Sequence, residues 1–440
     1  MTKPFSARPR RLIVKAVFLA AVSLALAPLL FGPLVLSTSA QTPAPTLDRD
    51  APPVDRLPYG RSPVNYFSDE EDGPVAGLIE KLAAGAVTFK HQGPQGYLRS
   101  LLAALDVPLE SQVLVFSKSS LNTRLIEPKN PRAIYFNDEV YVGWTPGSPA
   151  LEISTVSPRK GTLFFTLPQA ADKAPRFGHD GRCIVCHAST TSLGVPGHLV
   201  RSFETKADGT LVSGYSRVTH DTPFRKRWGG WYVTGRHGKL PHHGNLVCEE
   251  DHVRRRGEPA FRADLTDLSP FFDVSKYPTP HSDLVALLLL DHQAHLHNLF
   301  TRLNLETQLG MDKDSQALEQ LVRYLFLADA PTLPSAVEGT SGYAAWYQRQ
   351  GPRDRRGRSL RELDLKTRLF RYPMSPLIYS SSATGLPVKA KSRLYRRLWE
   401  ILSGKDESPV FRDINQNQRR AVLEILRETK KDLPDYWSGK

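Results

Sequence analysis

Cysteine is scarce: the 440 residues hold three, at 183, 186 and 248. Three cysteines exclude a multi-bridge disulfide scaffold, and one isolated Cys248 cannot complete a zinc ribbon, which needs a second pair. Methionine is equally scarce; beyond Met1 only Met311 and Met374 occur. No acidic residue precedes Asp48. There is no H-E-x-x-H, no G-x-S-x-G, no nucleotide-binding glycine loop and no internal repeat, so the chain offers no signature of those hydrolases or nucleotide enzymes. The net charge of +13 comes without any nucleic-acid motif, and nucleic acid is not an expected partner.

Two of the three cysteines lie in Cys183-Ile184-Val185-Cys186-His187. This C-x-x-C-H is the attachment sequence for a c-type haem. Two thiols form thioethers with the haem vinyls, and the adjacent imidazole becomes the proximal iron ligand. A redox C-x-x-C is the competing reading. It expects a helix N-terminus in a βαβ unit, whereas Phe177-Gly-His-Asp-Gly-Arg182 precedes the motif here. One covalent haem c on Cys183, Cys186 and His187 is therefore the expectation.

The N-terminus agrees. Lys3, Arg8, Arg10, Arg11 and Lys15 form a basic region, and an uncharged stretch from Ala16 to Ala40 follows. Ser37-Thr-Ser-Ala40 suits cleavage, so residues 1–40 read as a signal peptide. An uncleaved membrane anchor is the alternative, against which Pro28 and Pro33 count; membrane contact is expected only in that case. A periplasmic or secreted location follows. Arg10-Arg11 loosely resembles a twin-arginine signal, but haem attachment to an unfolded motif suits the unfolded export route better. Of 58 basic residues five lie in the signal, leaving 53 against 45 acidic ones, about +8. That suits an acidic redox partner as well as it suits a merely soluble surface.

The pattern along the chain predicts an α+β protein. Residues 41–65 are a Pro-rich linker or surface arm. Residues 66–175 are β-rich: helices near 73–84 and 97–105 precede short runs at 112–116, 133–136, 140–142, 151–153 and 162–165, separated by turns as in an antiparallel meander. The haem-binding region spans 176–330, with strands at 200–203, 211–215 and 231–234 and a long helix from Ser282 to Leu309. Residues 331–440 form a mainly helical C-terminal region, with helices near 341–350, 360–369, 391–402 and 415–429.

The ligand opposite His187 decides the chemistry. Methionine raises the potential, histidine lowers it, and an open position permits ligand binding. On the 282–309 helix, His292 and His295 share a face with Leu288 and Leu299, and His297 points away from it. These three are the leading distal candidates, and the first two are also a candidate second-metal pair. Met374, between prolines, and His242, in a polar turn with His243, follow; His198, His220 and His237 rank lower. Trp228, Trp231 and Tyr232 read as sheet core or as porphyrin contacts. Arg201 and Arg227 read as surface arginines or as partners of haem propionates. Cys248, after Leu246-Val247, is expected to be buried.

Several stretches together resemble a family of large, exported, single-motif cytochrome c-domain proteins of bacteria. They are Ala133 to Trp144, Cys183 to Ser202, Arg227 to Gly235, Asp291 to Arg302 and Leu363 to Phe370. The resemblance covers most of the mature chain and implies haem and export without naming a reaction. It does not extend to the small electron-transfer cytochromes, nor to dihaem peroxidases with their second C-x-x-C-H. The expected function is single-electron transfer. The alternatives are a peroxidase- or oxygenase-like haem oxidoreductase, which the chain's size favours, and a haem-based sensor.

Overall fold

The computed structural model describes residues 56–438, apart from 71, 121, 173, 180, 249–262 and 314. The expected signal, and the linker as far as residue 55, lie outside these. Residues Pro52–Lys440 form one compact unit. It is α+β, as expected: strands dominate the first half and helices the second.

Helices α1 (Pro74–Ala83) and α2 (Leu98–Ala104) come first. A meander follows: β1 (Val113–Val115), β2 (Arg132–Phe136), β3 (Val140–Trp144), β4 (Ala150–Ser157), β5 (Gly161–Pro168) and the edge strand β6 (Gly178–His179). The motif forms a single short helix, α3 (Cys183–His187). Next come the hairpin β7 (Arg201–Thr205) and β8 (Leu211–Arg217), then β9 (Trp231–Tyr232) and β10 (Gly235–Arg236). The second half holds α4 (Leu284–Gln308), α5 (Ala317–Leu325), β11 (Glu338–Gly339), α6 (Tyr343–Arg349), α7 (Ser381–Thr384), α8 (Val388–Leu402) and α9 (Gln416–Thr429).

The main sheet is antiparallel in the order β6-β5-β4-β3-β2-β1-β9, so β9 returns from beyond the motif to pair with β1. The period of two divides its faces. Phe165, Ile153, Val142 and Tyr135 line up across β5 to β2 and pack with α1 and α2. Phe164, Ser154, Tyr141 and Phe136 line up on the opposite face. That second face meets the motif segment, since the rings of Phe164 and His187 lie 4.8 Å apart.

The helix α4 is the beam between layers. Asp283 caps its N-terminus by accepting from the amides of Val285 and Ala286 at 2.8 and 3.0 Å, and Gly310, at φ +69°, ends it. Of its 25 residues 22 are buried, and its apolar side chains join all three hydrophobic clusters of the molecule. The expectation of one apolar face therefore fails: a helix buried all round has none to spare. His297 points away from the Leu288 and Leu299 stripe into another part of the core.

The other departure is at 360–369, where a helix is expected and a tight turn stands. The Asp364 carboxylate accepts from the amides of Lys366 and Thr367 at 2.8 and 2.7 Å, and Leu365 takes φ +56°. Such a side chain offers the backbone an alternative to helical bonding. Of the arm, the part after residue 55 is firmly packed, with Leu57, Tyr59 and Val64 buried.

Candidate haem centre

On α3 the positions i, i+3 and i+4 bring Cys183, Cys186 and His187 to one side. Cys186 and Val185 are exposed, and Cys183 is half-buried. Cys248 is buried, as expected.

The imidazole is fixed by the loop that follows. His187 Nδ1 lies 2.9 Å from the carbonyl oxygen of Gly197. A carbonyl only accepts, so Nδ1 carries the proton and Nε2 presents its lone pair. In return the Gly197 amide donates to the His187 carbonyl at 2.8 Å. Ser192 Oγ contacts the His187 and Val195 carbonyls at 3.0 and 2.9 Å. The loop is tied to the rest of the fold at several points. Thr162 donates its amide to Pro196, Arg302 its guanidinium to the Leu193 carbonyl, and Arg56 its guanidinium to the Ala188 carbonyl. Burial holds the imidazolium pKa of His187 down at about 4, against the stabilising Gly197 bond, and Arg201 and Arg132 disfavour the charge further. A neutral imidazole with Nδ1–H donated to a carbonyl is the form an iron ligand needs.

The residues present thus fit a c-type haem: two cysteines three residues apart beside a histidine whose Nε2 would be the coordinating nitrogen, since Nδ1 is bonded to its neighbour. Arg201 lies near enough to act on His187 electrostatically. Arg227 is engaged elsewhere. It is 2% exposed, its Nη1 is 3.3 Å from Asp291 Oδ2, and its other nitrogens donate to the carbonyls of Thr222 and His220. The sequence shows its charge but not this buried partner 64 residues on. Trp228, Trp231 and Tyr232 are core residues.

The distal candidates differ in what their nitrogens already do. His297 donates from Nε2 to the Asp138 carbonyl at 2.6 Å, which leaves Nδ1 to accept from Ser382 Oγ at 2.9 Å. His292 has Nδ1 2.7 Å from His220 Nδ1 and Nε2 2.7 Å from Ser375 Oγ. Both rings are fully engaged. His295, beside Tyr324, keeps a buried Nδ1 with no hydrogen-bond partner. His242 is not in an open polar turn; it is buried against Trp228 and His237. Met374 is 0% exposed in the C-terminal helical core. Met311 is 50% exposed on an open cleft of about 800 Å3, one wall of which is Thr190, Leu193 and Gly194 from the loop after the motif. Sequence reasoning passed over it, because nothing in its neighbours in the chain marks the cleft. Among the described residues no three His, Cys, Asp or Glu side chains are grouped to hold a separate metal ion, and His292 is committed elsewhere. No described helix is long and apolar enough to cross a membrane.

No family model, curated protein or solved structure matches the chain.

Proposed function

We propose that the chain is an exported c-type cytochrome, of the large single-motif bacterial kind it resembles, that carries one covalent haem and transfers single electrons. The observation that carries this reading is the C-x-x-C-H helix whose histidine donates Nδ1–H to Gly197 and so keeps the lone pair on Nε2. In it Cys183 and Cys186 supply the thioethers and His187 the proximal nitrogen. The haem supplies a one-electron couple whose potential its axial ligands and their hydrogen bonds set. The exposed side of α3 gives an acidic redox partner an approach, and the basic mature chain suits such docking. The location is periplasmic or secreted, with an N-terminal anchor as the alternative.

The test is acid–acetone extraction of protein made with haem-attachment machinery. Colour that stays on the polypeptide supports the reading; haem that extracts completely removes it.

A second reading is a haem oxidoreductase with an open or exchangeable distal position. It is favoured by the engaged nitrogens of His292 and His297 and the buried position of Met374; of the α4 histidines only His295 keeps an unpartnered nitrogen. The EPR spectrum of the holoprotein separates the two: high-spin ferric iron favours the oxidoreductase, low-spin iron the electron carrier.

A further inference from the structure

The peptide bond between Gly197 and His198 is used at both ends. Its carbonyl oxygen, on Gly197, accepts the Nδ1–H of His187 at 2.9 Å. Its amide N–H, on His198, donates to Oδ1 of Asn298 at 2.8 Å. Asn298 sits on α4, is 1% exposed, and closes the clamp by donating from Nδ2 to the His198 carbonyl, also at 2.8 Å. The approach is so close that a side chain on Gly197 would collide with the Asn298 amide. The result is one unbroken chain, from Asn298 Oδ1 through the peptide group to the ring of His187.

An amide that donates through its N–H becomes a better acceptor at its oxygen, because the same delocalised electrons serve both ends. A stronger acceptor on Nδ1–H makes the opposite nitrogen more electron-rich. Water cannot easily stand in at this site, because Asn298 is buried.

We infer that Asn298 is a positioning and tuning residue for the haem: through the Gly197–His198 peptide it raises the donor strength of His187 toward iron. The inference rests on the haem reading above. Asn298 touches neither iron nor a thiol. It acts by fixing the orientation of the proximal ring and by polarising the carbonyl that holds it, as outer partners of metal-bound histidines do.

Two substitutions give opposite signs. In Asn298→Ala the His198 amide loses its acceptor, the Gly197 carbonyl weakens, and the histidine becomes a poorer donor. The reduction potential is expected to rise and the iron–histidine stretching frequency to fall, the latter read by resonance Raman on the ferrous protein, after photolysis of bound CO if six-coordinate. In Asn298→Asp the carboxylate gives up the bond to the His198 carbonyl but pulls harder on the His198 amide, and both quantities are expected to move the other way. Asn304→Ala is the control. Asn304 is likewise buried on α4 but bonds to the Pro158 carbonyl and the Gln308 side-chain amide, so its loss perturbs packing and leaves both readouts in place. Equal shifts in the Ala and control variants, same-sign shifts in the Ala and Asp variants, or no shift at all would overturn the inference. Should the Asp variant not fold, the Ala variant against the control decides. Covalent haem is measured first in every sample. Its absence from the unsubstituted protein speaks against the haem reading, while its presence with unmoved readouts speaks only against the role of Asn298.

Discussion

The histidines of α3 and α4 are dressed differently. On α3, five residues long with an exposed outer side, His187 has one nitrogen fixed by a backbone carbonyl and the other left with its lone pair. On α4, buried nearly throughout, His292 and His297 have both nitrogens satisfied by side chains or backbone. A buried ring with both ends bonded is a finished structural part, because removing either bond leaves a desolvated polar group. A ring held at one end, as His187 is, keeps a nitrogen that can serve another partner. On α4 only His295 shares that pattern, with its unpartnered Nδ1, so the contrast is with His292 and His297.

The largest expected effect tests the α3 side. Replacing Cys183 and Cys186 together with alanine abolishes covalent haem, and His187→Ala disturbs the iron spectrum far more than His91→Ala, at a site remote from the motif. Near-native spectra in both histidine variants would erase the contrast. Next comes the buried pair beside α4. Arg227→Met strands Asp291, whose carboxyl burial has already pushed up to about 7, and is expected to cost about 3–5 kcal/mol in denaturant melts while haem stays attached. A cost below about 1 kcal/mol would show the pair to be dispensable.

Acid should weaken the α4 side as well. Burial holds His242, His292 and His295 each at about 3, below the ordinary 6.5. Their stabilisation is whole above pH 6.5 and is lost as pH falls, because the unfolded chain then takes up protons the folded one refuses. Asp291 works oppositely, binding its proton more tightly when folded, and offsets about one of the three. Urea midpoints measured from about pH 7.5 down to about pH 4.5 should therefore fall; midpoints that stay flat or rise would contradict this bookkeeping. A smaller effect is expected from His292→Gln, about 1–3 kcal/mol with an unchanged EPR spectrum. Loss of a low-spin signal there would place His292 on iron. Smallest is Met374→Leu, a volume-conserving change costing under about 1.5 kcal/mol and leaving the spectrum alone.

Much of this contrast was legible in the residues. The strand runs from Val113 to Phe165 are β-branched and aromatic and punctuated by turns, and they pair in chain order as a meander does. The motif offers its candidate ligands by spacing, and α3 brings them to one side. What spacing cannot show is how a side chain is occupied. Arg227 and Asp291 are 64 residues apart, so their pairing carries no local signal. His297 is engaged by Asp138 and Ser382, which only the packed fold brings to it. The turn at 360–369 follows helical spacing in its apolar residues, yet Asp364 captures the amides that a helix would use. The role proposed for Asn298 is equally hidden, since its contact with His198 spans 100 residues.

The arm from Arg56 to Tyr66 adds a consequence in time. Arg56 bonds to Ala188, Leu57 to Gly194 and Tyr66 to Thr162, across separations of 132 residues for the first and 96 for the last. Such distant closures lag behind local ones. The segment made first therefore docks after the motif region has been made and its loop has begun to form. Until it docks, the carbonyls of Ala188 and Gly194 lack these partners. The loop that holds His187 is therefore sewn down from far back in the chain, and a break in the arm would loosen it without touching the motif.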